Sequence, residues 1–203
     1  MPHTLTTVAE LEAVYGAPNP RSLLKEIDHL NADYRAFVEA SPFIVLSSVG
    51  AGGTDASPKG DAPGFVRIVD DRTLAIPDRP GNNRIDNLRN IVEDGRVSVL
   101  FIVPGVGETL RVNGAATISV DPALLASFAV RDKLPRSVIL VKVQSVYFHC
   151  SKALVRSKLW ERAQEAAPAL PTAGRILQHI SGDTFDGDAY DRELPERLKT
   201  TLY

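Results

Sequence analysis

The chain has 203 residues, a formal net charge of −2 and 44% hydrophobic residues. These values are ordinary for a globular protein that buries its own core, and the near-neutral charge argues against a nucleic-acid-binding surface, which needs a basic domain. No apolar run is long enough to span a membrane, the N-terminus lacks a signal-peptide pattern, and the single cysteine, Cys150, suits a reducing compartment. We therefore expect a cytoplasmic protein that binds neither membranes nor nucleic acid.

The first predicted element is an amphipathic helix over residues 21–40, in which apolar residues recur every three or four positions. Asn19 and Pro20 are typical of a helix start, because Asn caps the free amides and Pro fits the first turn. Pro42 predicts that the helix ends just before it, because the residue preceding a proline avoids the helical conformation.

The middle of the chain predicts about six short strands separated by turns and few helices. Residues 97–103 are almost continuously apolar, as in a strand buried on both faces, whereas residues 108–120 alternate between apolar and polar side chains. Helices are predicted over residues 84–92 and 121–130. The predicted strands cover residues 43–49, 65–69, 73–76, 97–103, 108–120 and 138–149, with a turn at 50–53.

Residues from 151 onward have a mostly helical and polar pattern, and the charged segment 182–203 is typical of an arm. Short strands with few helices between them favour a mainly β fold, an antiparallel closed or split β-barrel with peripheral helices, over a doubly wound parallel sheet. We expect one domain over residues 1–203, with a helix at about 21–40 before the barrel and a helical extension at about 151–203 after it.

A cluster of cations is the most informative local feature. Lys59, Arg67, Arg79 and Arg84 fall within a short window of predicted strands and turns that Gly and Pro interrupt too often for a helix. Rigid strand ends that present several cationic or amide donors can converge on one phosphate group. The alternative interpretation is a hairpin whose charges are simply solvated.

Other kinds of site are not indicated. The chain contains no phosphate-binding G-x-x-x-x-G-K-[ST] loop, no dinucleotide fingerprint before a helix, and no G-x-S-x-G nucleophile turn. Its histidines, His3, His29, His149 and His179, do not pair at the spacing of metal ligands, so no metal site is predicted.

Five sequence blocks together resemble the flavin-binding split-barrel family related to pyridoxamine 5'-phosphate oxidase. Within this family, the blocks resemble a subgroup of inferred FMN-dependent enzymes whose substrate is unknown. It extends over roughly residues 43–160, more than half of the chain. The blocks are residues 57–61, 64–67, 76–84, 108–112 and 148–160.

The resemblance implies a homodimer with FMN bound at the subunit interface. It places Arg67, Asn83 and Arg84 at the FMN phosphate and the backbone at Pro77 and Asp78 at the edge of the flavin ring. It also implies that the partner subunit supplies the contacts that follow the last strand. The candidate cofactor-binding residues are Lys59, Arg67, Pro77, Asp78, Arg79, Asn83, Arg84, Thr109, Arg111, Lys152, Arg156 and Trp160.

The expected activity is that of an FMN-dependent oxidoreductase that acts on an unidentified small molecule by hydride transfer through the flavin. Segment 155–160 lacks the histidine and aspartate with which the oxidase itself holds its substrate, which argues against pyridoxamine phosphate. Because the cofactor carries the redox chemistry, no catalytic side chain is predicted. Two alternatives stay open: a flavin-binding carrier or redox sensor without turnover, and a reductase that uses a deazaflavin on the same fold.

Overall fold

The computed structural model describes residues 3–163, 165 and 169–203. Its strands form one antiparallel sheet, and its two outermost strands do not pair with each other, so the sheet is not closed. The strands are β1 (Phe43–Gly50), β2 (Gly53–Gly60), β3 (Arg67–Asp70), β4 (Thr73–Asp78), β5 (Arg96–Ile102), β6 (Thr109–Ser119) and β7 (Ser137–His149). Their order in the sheet is β2-β1-β5-β6-β7-β4-β3.

The helices lie around this sheet, which confirms the predicted mainly β fold with peripheral helices. No described helix is long and apolar enough to cross a membrane. The helices are α1 (Val8–Tyr15), α2 (Pro20–Leu24), α3 (Ala32–Ala40), α4 (Asp86–Glu93), α5 (Pro122–Ser127), α6 (Lys152–Ser157), α7 (Leu159–Arg162), α8 (Ala173–Ile180) and α9 (Gly187–Thr201).

The single helix predicted over residues 21–40 is wrong, because α2 and α3 are separate. Between them Ile27 is extended and pairs with Val146 of β7, with N–O distances of 3.1 and 2.8 Å. Asn31 then caps α3 by accepting a hydrogen bond from the amide of Tyr34 at 2.9 Å. The apolar spacing is real, but part of it reflects an extended segment that packs on the sheet.

The strand β2 was missed because residues 53–60 show no apolar alternation. It is an edge strand that pairs only with β1, in a hairpin whose turn is the predicted one at 50–53. Edge strands tolerate both polar side chains and a proline such as Pro58, which has no amide hydrogen to donate. The predicted count of about six strands is therefore one short.

The larger core cluster lies on one face of the sheet, and a smaller cluster of Ala75, Phe128 and Val138 lies on the other. In β5, Val97, Val99 and Phe101 are buried, whereas Leu100 and Ile102 are only half-buried. The prediction that residues 97–103 are buried on both faces is therefore wrong within a single chain. The reason is that the covering helices α3 and α4 add core side chains to one face and leave the other face of β5 partly open.

The C-terminal helices α8 and α9 pack closely against each other. A Cβ on Gly174 would lie 2.1 Å from the carbonyl oxygen of Gly187, so this crossing requires glycine. The amide of Gly174 also donates to Asp191 Oδ1 at 2.9 Å. The segment predicted as an arm is thus largely helical, and its last residues return to the sheet.

Candidate cofactor site

An open cleft of about 740 Å³ lies between β2, the end of β4 and the start of α4. This volume falls within the roughly 300–1,000 Å³ range of small-molecule sites. The cleft is lined by backbone and side chains of residues 55–60, 77–88 and 136–137, together with Phe65, Leu202 and Tyr203.

The cleft exists because the sheet curls. Four strands separate β2 from β4 in the sheet order, yet Lys59 Nζ in β2 lies 3.0 Å from Asp78 Oδ1 in β4. Both side chains are only 18% exposed. An ion pair shielded in this way is stronger than one at the surface, and it holds one ammonium group inside the cleft.

The N-terminus of α4 opens into the same cleft. Ile85 precedes the helix with φ 54°, and no side chain among the described residues caps it. Left-handed backbone is unusual for a β-branched residue, and here it follows Asn83, which has φ 60°. The segment is fixed by Arg136, whose Nη1 donates to Asn83 Oδ1 at 2.7 Å. Uncapped helix amides attract anions, so this end of the cleft favours a negative group.

A buried polar network holds α4 in place. The Nδ2 groups of Asn87 and Asn90 both donate to Ser48 Oγ, at 2.7 and 3.1 Å, and Asn90 Nδ2 also donates to Asp55 Oδ2 at 2.7 Å. A Cβ at Gly50 would lie 2.2 Å from Asn90 Oδ1, so the close approach requires glycine. This network was not predicted from the sequence, although two asparagines three residues apart on an otherwise apolar helix face are a signal of buried polar contacts.

Arg84 lies at the mouth of the cleft and is mostly exposed. Its Nε donates to Asp86 Oδ2 at 2.7 Å, and this hydrogen bond raises the pKa of the Arg84 guanidinium. Its backbone amide donates to Asn82 Oδ1 at 3.1 Å. The cation therefore stands beside the uncapped start of α4, where Asp86 of the first turn already pairs with it.

Arg79, which lines the cleft, forms an ion pair with the buried side chain of Asp61 behind it. Arg79 Nε lies 3.0 Å from Asp61 Oδ2, and Arg79 Nη1 donates to the carbonyl oxygen of Phe128 at 2.9 Å. Burial opposes ionisation of the Asp61 carboxyl, but hydrogen bonds from Tyr203, the Ala62 amide and Arg79 outweigh it, so the pKa of Asp61 is lowered. Arg79 is thus engaged by a carboxylate of its own chain, as Lys59 and Arg84 are.

Half of the predicted residues line the cleft, and Arg67 does not. Arg67 lies on β3, donates from Nη2 to the carbonyl of Ser127 and stacks on the Phe128 ring at 4.1 Å. The second strand of the first hairpin is β2, and its cation at the cleft is Lys59. The predicted residues that line the cleft are Lys59, Pro77, Asp78, Arg79, Asn83 and Arg84.

The other predicted residues lie on β6, α6 and α7 and do not line the cleft. Thr109 is buried in β6, and the neighbouring Arg111 stacks on Tyr147 at 4.6 Å. Trp160 donates from Nε1 to the carbonyl of Val106 at 2.7 Å. Lys152 and Arg156 are exposed on α6. A contribution of these residues to a cofactor site stays a prediction.

The sequence model of the family described as pyridoxamine 5'-phosphate oxidase matches residues 30–150, which contain all seven strands. The chain belongs to this family. Its fold typically binds a flavin or a deazaflavin. No curated protein is detectably similar to the chain in sequence.

Solved structures with a similar fold share little sequence with the chain. HupZ from Group A Streptococcus is 20% identical, with a TM-score of 0.46 over 57% of this chain and 90% of that one. General Stress Protein 26 from Bacillus anthracis is 18% identical, with a TM-score of 0.44 over 56% and 88% of the two chains. A protein described as an F420 reductase is 19% identical, with a TM-score of 0.42 over 59% and 98%.

Proposed function

We propose that the protein is an FMN-dependent oxidoreductase that acts on a small molecule. The observation that carries this proposal is the composition of the cleft. The cleft combines a shielded ammonium, an exposed guanidinium and an uncapped helix N-terminus with several apolar side chains. FMN pairs a doubly charged phosphate with a flat ring in the same way.

The phosphate is assigned to the α4 end of the cleft. Lys59 and Arg84 supply charge, and the amides of the first turn of α4 supply neutral donors. Hydrogen bonds to charged groups contribute roughly 1.5–3 kcal/mol each, and the partly buried Lys59 suits that range because solvent screens it little. Arg67 is not part of this assignment.

The flavin ring is assigned to the apolar part of the lining. Pro58, Phe65, Pro77 and Leu88 line the cleft and offer flat or compact apolar surface. The carbonyl oxygen of Asp78 already accepts from the Arg136 amide at 3.2 Å, which fixes the backbone at the end of β4. A fixed backbone orients a planar group with little loss of conformational entropy.

The protein's own contribution is therefore binding and orientation. A bound flavin supplies the hydride chemistry. The chain holds the phosphate, shields one face of the ring with β2 and β4, and leaves the open side of the cleft for a substrate. Among the described residues lining the cleft there is no cysteine or histidine, so no nucleophilic step is assigned to the protein.

The proposal includes a homodimer. The second face of β5 is partly open and carries Leu100 and Ile102 half-exposed, and the neighbouring Arg111 Nε is buried with no hydrogen-bond partner among the described residues. A second copy can cover this face and give Arg111 an acceptor. In this arrangement Lys152, Arg156 and Trp160, which follow the last strand, reach the cofactor from the partner subunit.

The decisive experiment is identification of the ligand released from the purified protein. We expect a yellow protein that releases about one FMN per chain, since a symmetric dimer builds each site once per subunit. Release of a deazaflavin instead of FMN would show that the cofactor is the deazaflavin and would favour the alternative of a deazaflavin-using reductase. A protein that contains no flavin and does not bind FMN at micromolar concentration would refute the proposal.

A second measurement separates an enzyme from a carrier or sensor. The purified holoprotein is reduced chemically, and candidate acceptors are tested for repeated reoxidation. Many cycles per bound flavin are expected for an oxidoreductase. One stoichiometric change with every acceptor would instead favour a flavin carrier or redox sensor.

A further inference from the structure

The last two residues of the chain lie in the cleft. Helix α9 ends at Thr201, and Leu202 and Tyr203 then line the cleft beside Arg79. The Tyr203 hydroxyl donates to Asp61 Oδ1 at 2.8 Å, across 142 residues of sequence. Tyr203 therefore lies directly at the candidate cofactor site.

The surface that receives Tyr203 is rigid and charged. Asp61 is only 5% exposed at its side chain, and its two carboxylate oxygens bind Arg79 and Tyr203 separately. The backbone amide of Asp61 donates to the carbonyl of Pro42 at 3.1 Å. The guanidinium groups of Arg79 and Arg131 lie 5.8 and 5.7 Å from the centre of the Tyr203 ring. The Tyr203 hydroxyl thus donates to a fixed carboxylate, and the Tyr203 ring lies near two guanidinium groups.

Tyr203 also connects the helices α8 and α9 to the rest of the chain. Among the described residues, its bond to Asp61 is the one hydrogen bond that joins segment 169–203 to the rest of the chain. The helices α8 and α9 otherwise hydrogen-bond within their own hairpin, as Gly174 does with Asp191. Loss of this contact therefore frees the end of the hairpin without breaking the hairpin or the sheet. A contact of this kind can open at small cost.

We propose that Tyr203 gates the cofactor cleft: bound to Asp61, it closes the cleft beside Arg79, and it leaves this position when a ligand enters or departs. This inference rests on the proposed function, because it concerns the passage of FMN through that cleft. A gate slows entry and release together, so it changes rates more than affinity. That property distinguishes it from a residue that simply binds the cofactor.

The test measures FMN binding and release rates of the full chain by stopped-flow flavin fluorescence. For Tyr203→Ala we expect both rates to rise by about tenfold, while the dissociation constant changes by much less. Tyr203→Phe keeps the ring and loses the hydroxyl, so its rates should lie between those of the wild type and Tyr203→Ala. The matched control is Tyr15→Ala, since Tyr15 is 77% exposed and far along the chain from the cleft.

Chemical complementation separates gating by the Tyr203 side chain from a purely structural role of that residue, because an added phenol can replace only the side chain. p-Cresol, which has the shape of the missing side chain, should slow FMN release from Tyr203→Ala, whereas toluene, which lacks the hydroxyl, should not. If wild type binds FMN and the Tyr203→Ala rates stay within about twofold of wild type, the gate is refuted while the proposed function stands. If wild type binds no FMN, both are refuted.

Discussion

Replacement of Lys59 by methionine tests the assignment of the phosphate. Methionine keeps the length and apolar stem of the lysine and removes the ammonium that lies 3.0 Å from Asp78 Oδ1. Loss of one charge-assisted hydrogen bond to phosphate from this shielded position should cost roughly 1.5–3 kcal/mol. At about 1.4 kcal/mol per factor of ten, FMN affinity should fall by roughly 10- to 150-fold.

The same substitution leaves the Asp78 carboxylate without its partner, which must be separated from the loss of the phosphate contact. An unpaired carboxylate in a shielded position destabilises the fold by roughly 1–3 kcal/mol. The double variant Lys59→Met/Asp78→Asn removes both charges, so it should recover most of the free energy of unfolding. It should not recover the preference for FMN over riboflavin.

The assay is isothermal titration of FMN and of riboflavin, which lacks the phosphate, with unfolding in urea as the stability measurement. Lys142→Met is the control, because Lys142 is an exposed lysine on a strand of the same sheet. The assignment of the phosphate to Lys59 is refuted if the double variant loses the same factor of affinity, relative to wild type, for FMN and for riboflavin. It also fails if Lys142→Met lowers FMN affinity as much as Lys59→Met.

Three further predictions concern α4, Asp61 and assembly. Gly50→Ala forces a Cβ to within 2.2 Å of Asn90 Oδ1, so it should lower the free energy of unfolding in urea by roughly 1–3 kcal/mol. The control is Gly52→Ala, which should change the free energy of unfolding little because Gly52 has open space around it. The folded-state pKa of Asp61 lies below its ordinary value of 3.8, so the contribution of its carboxylate to stability is present above that pH and is lost as the pH falls further. Asp61→Asn should therefore flatten the acid limb of a plot of the free energy of unfolding against pH. An unchanged acid limb would contradict this prediction. Light scattering should give a mass of about twice the 22.0 kDa of one chain. Leu100→Glu, on the open face of β5, should yield a folded monomer. A wild-type protein that is monomeric at all concentrations would exclude the dimer.

Much of the fold follows from local rules that are visible in the sequence. Apolar alternation located β6, and a continuous apolar run located β5 to within one or two residues. Asn19 and Asp121 cap α2 and α5 as their positions before prolines indicated. Each of these features depends on residues within a few positions of one another, so a single sequence contains the whole cause.

Elements whose conformation depends on distant partners were not predicted. The bridge between Ile27 and Val146 interrupts what the spacing indicated to be one helix. The polar strand β2 forms because β1 offers it a hydrogen-bonding edge, and its own side chains give no sign of it. In both cases backbone hydrogen bonds to a remote strand outweigh local propensity.

The sequence by itself determined the family, six of the seven strands of the sheet and the composition of the cation cluster. The tertiary structure alone decided which of those cations share a cleft. Curling of the sheet brings Lys59 to Asp78 and leaves Arg67 on the Phe128 ring, and the chain's last residue, Tyr203, reaches Asp61. The physical reason is that charge and residue type are local properties, whereas a shared cleft depends on sheet curvature and on contacts between residues far apart in the chain.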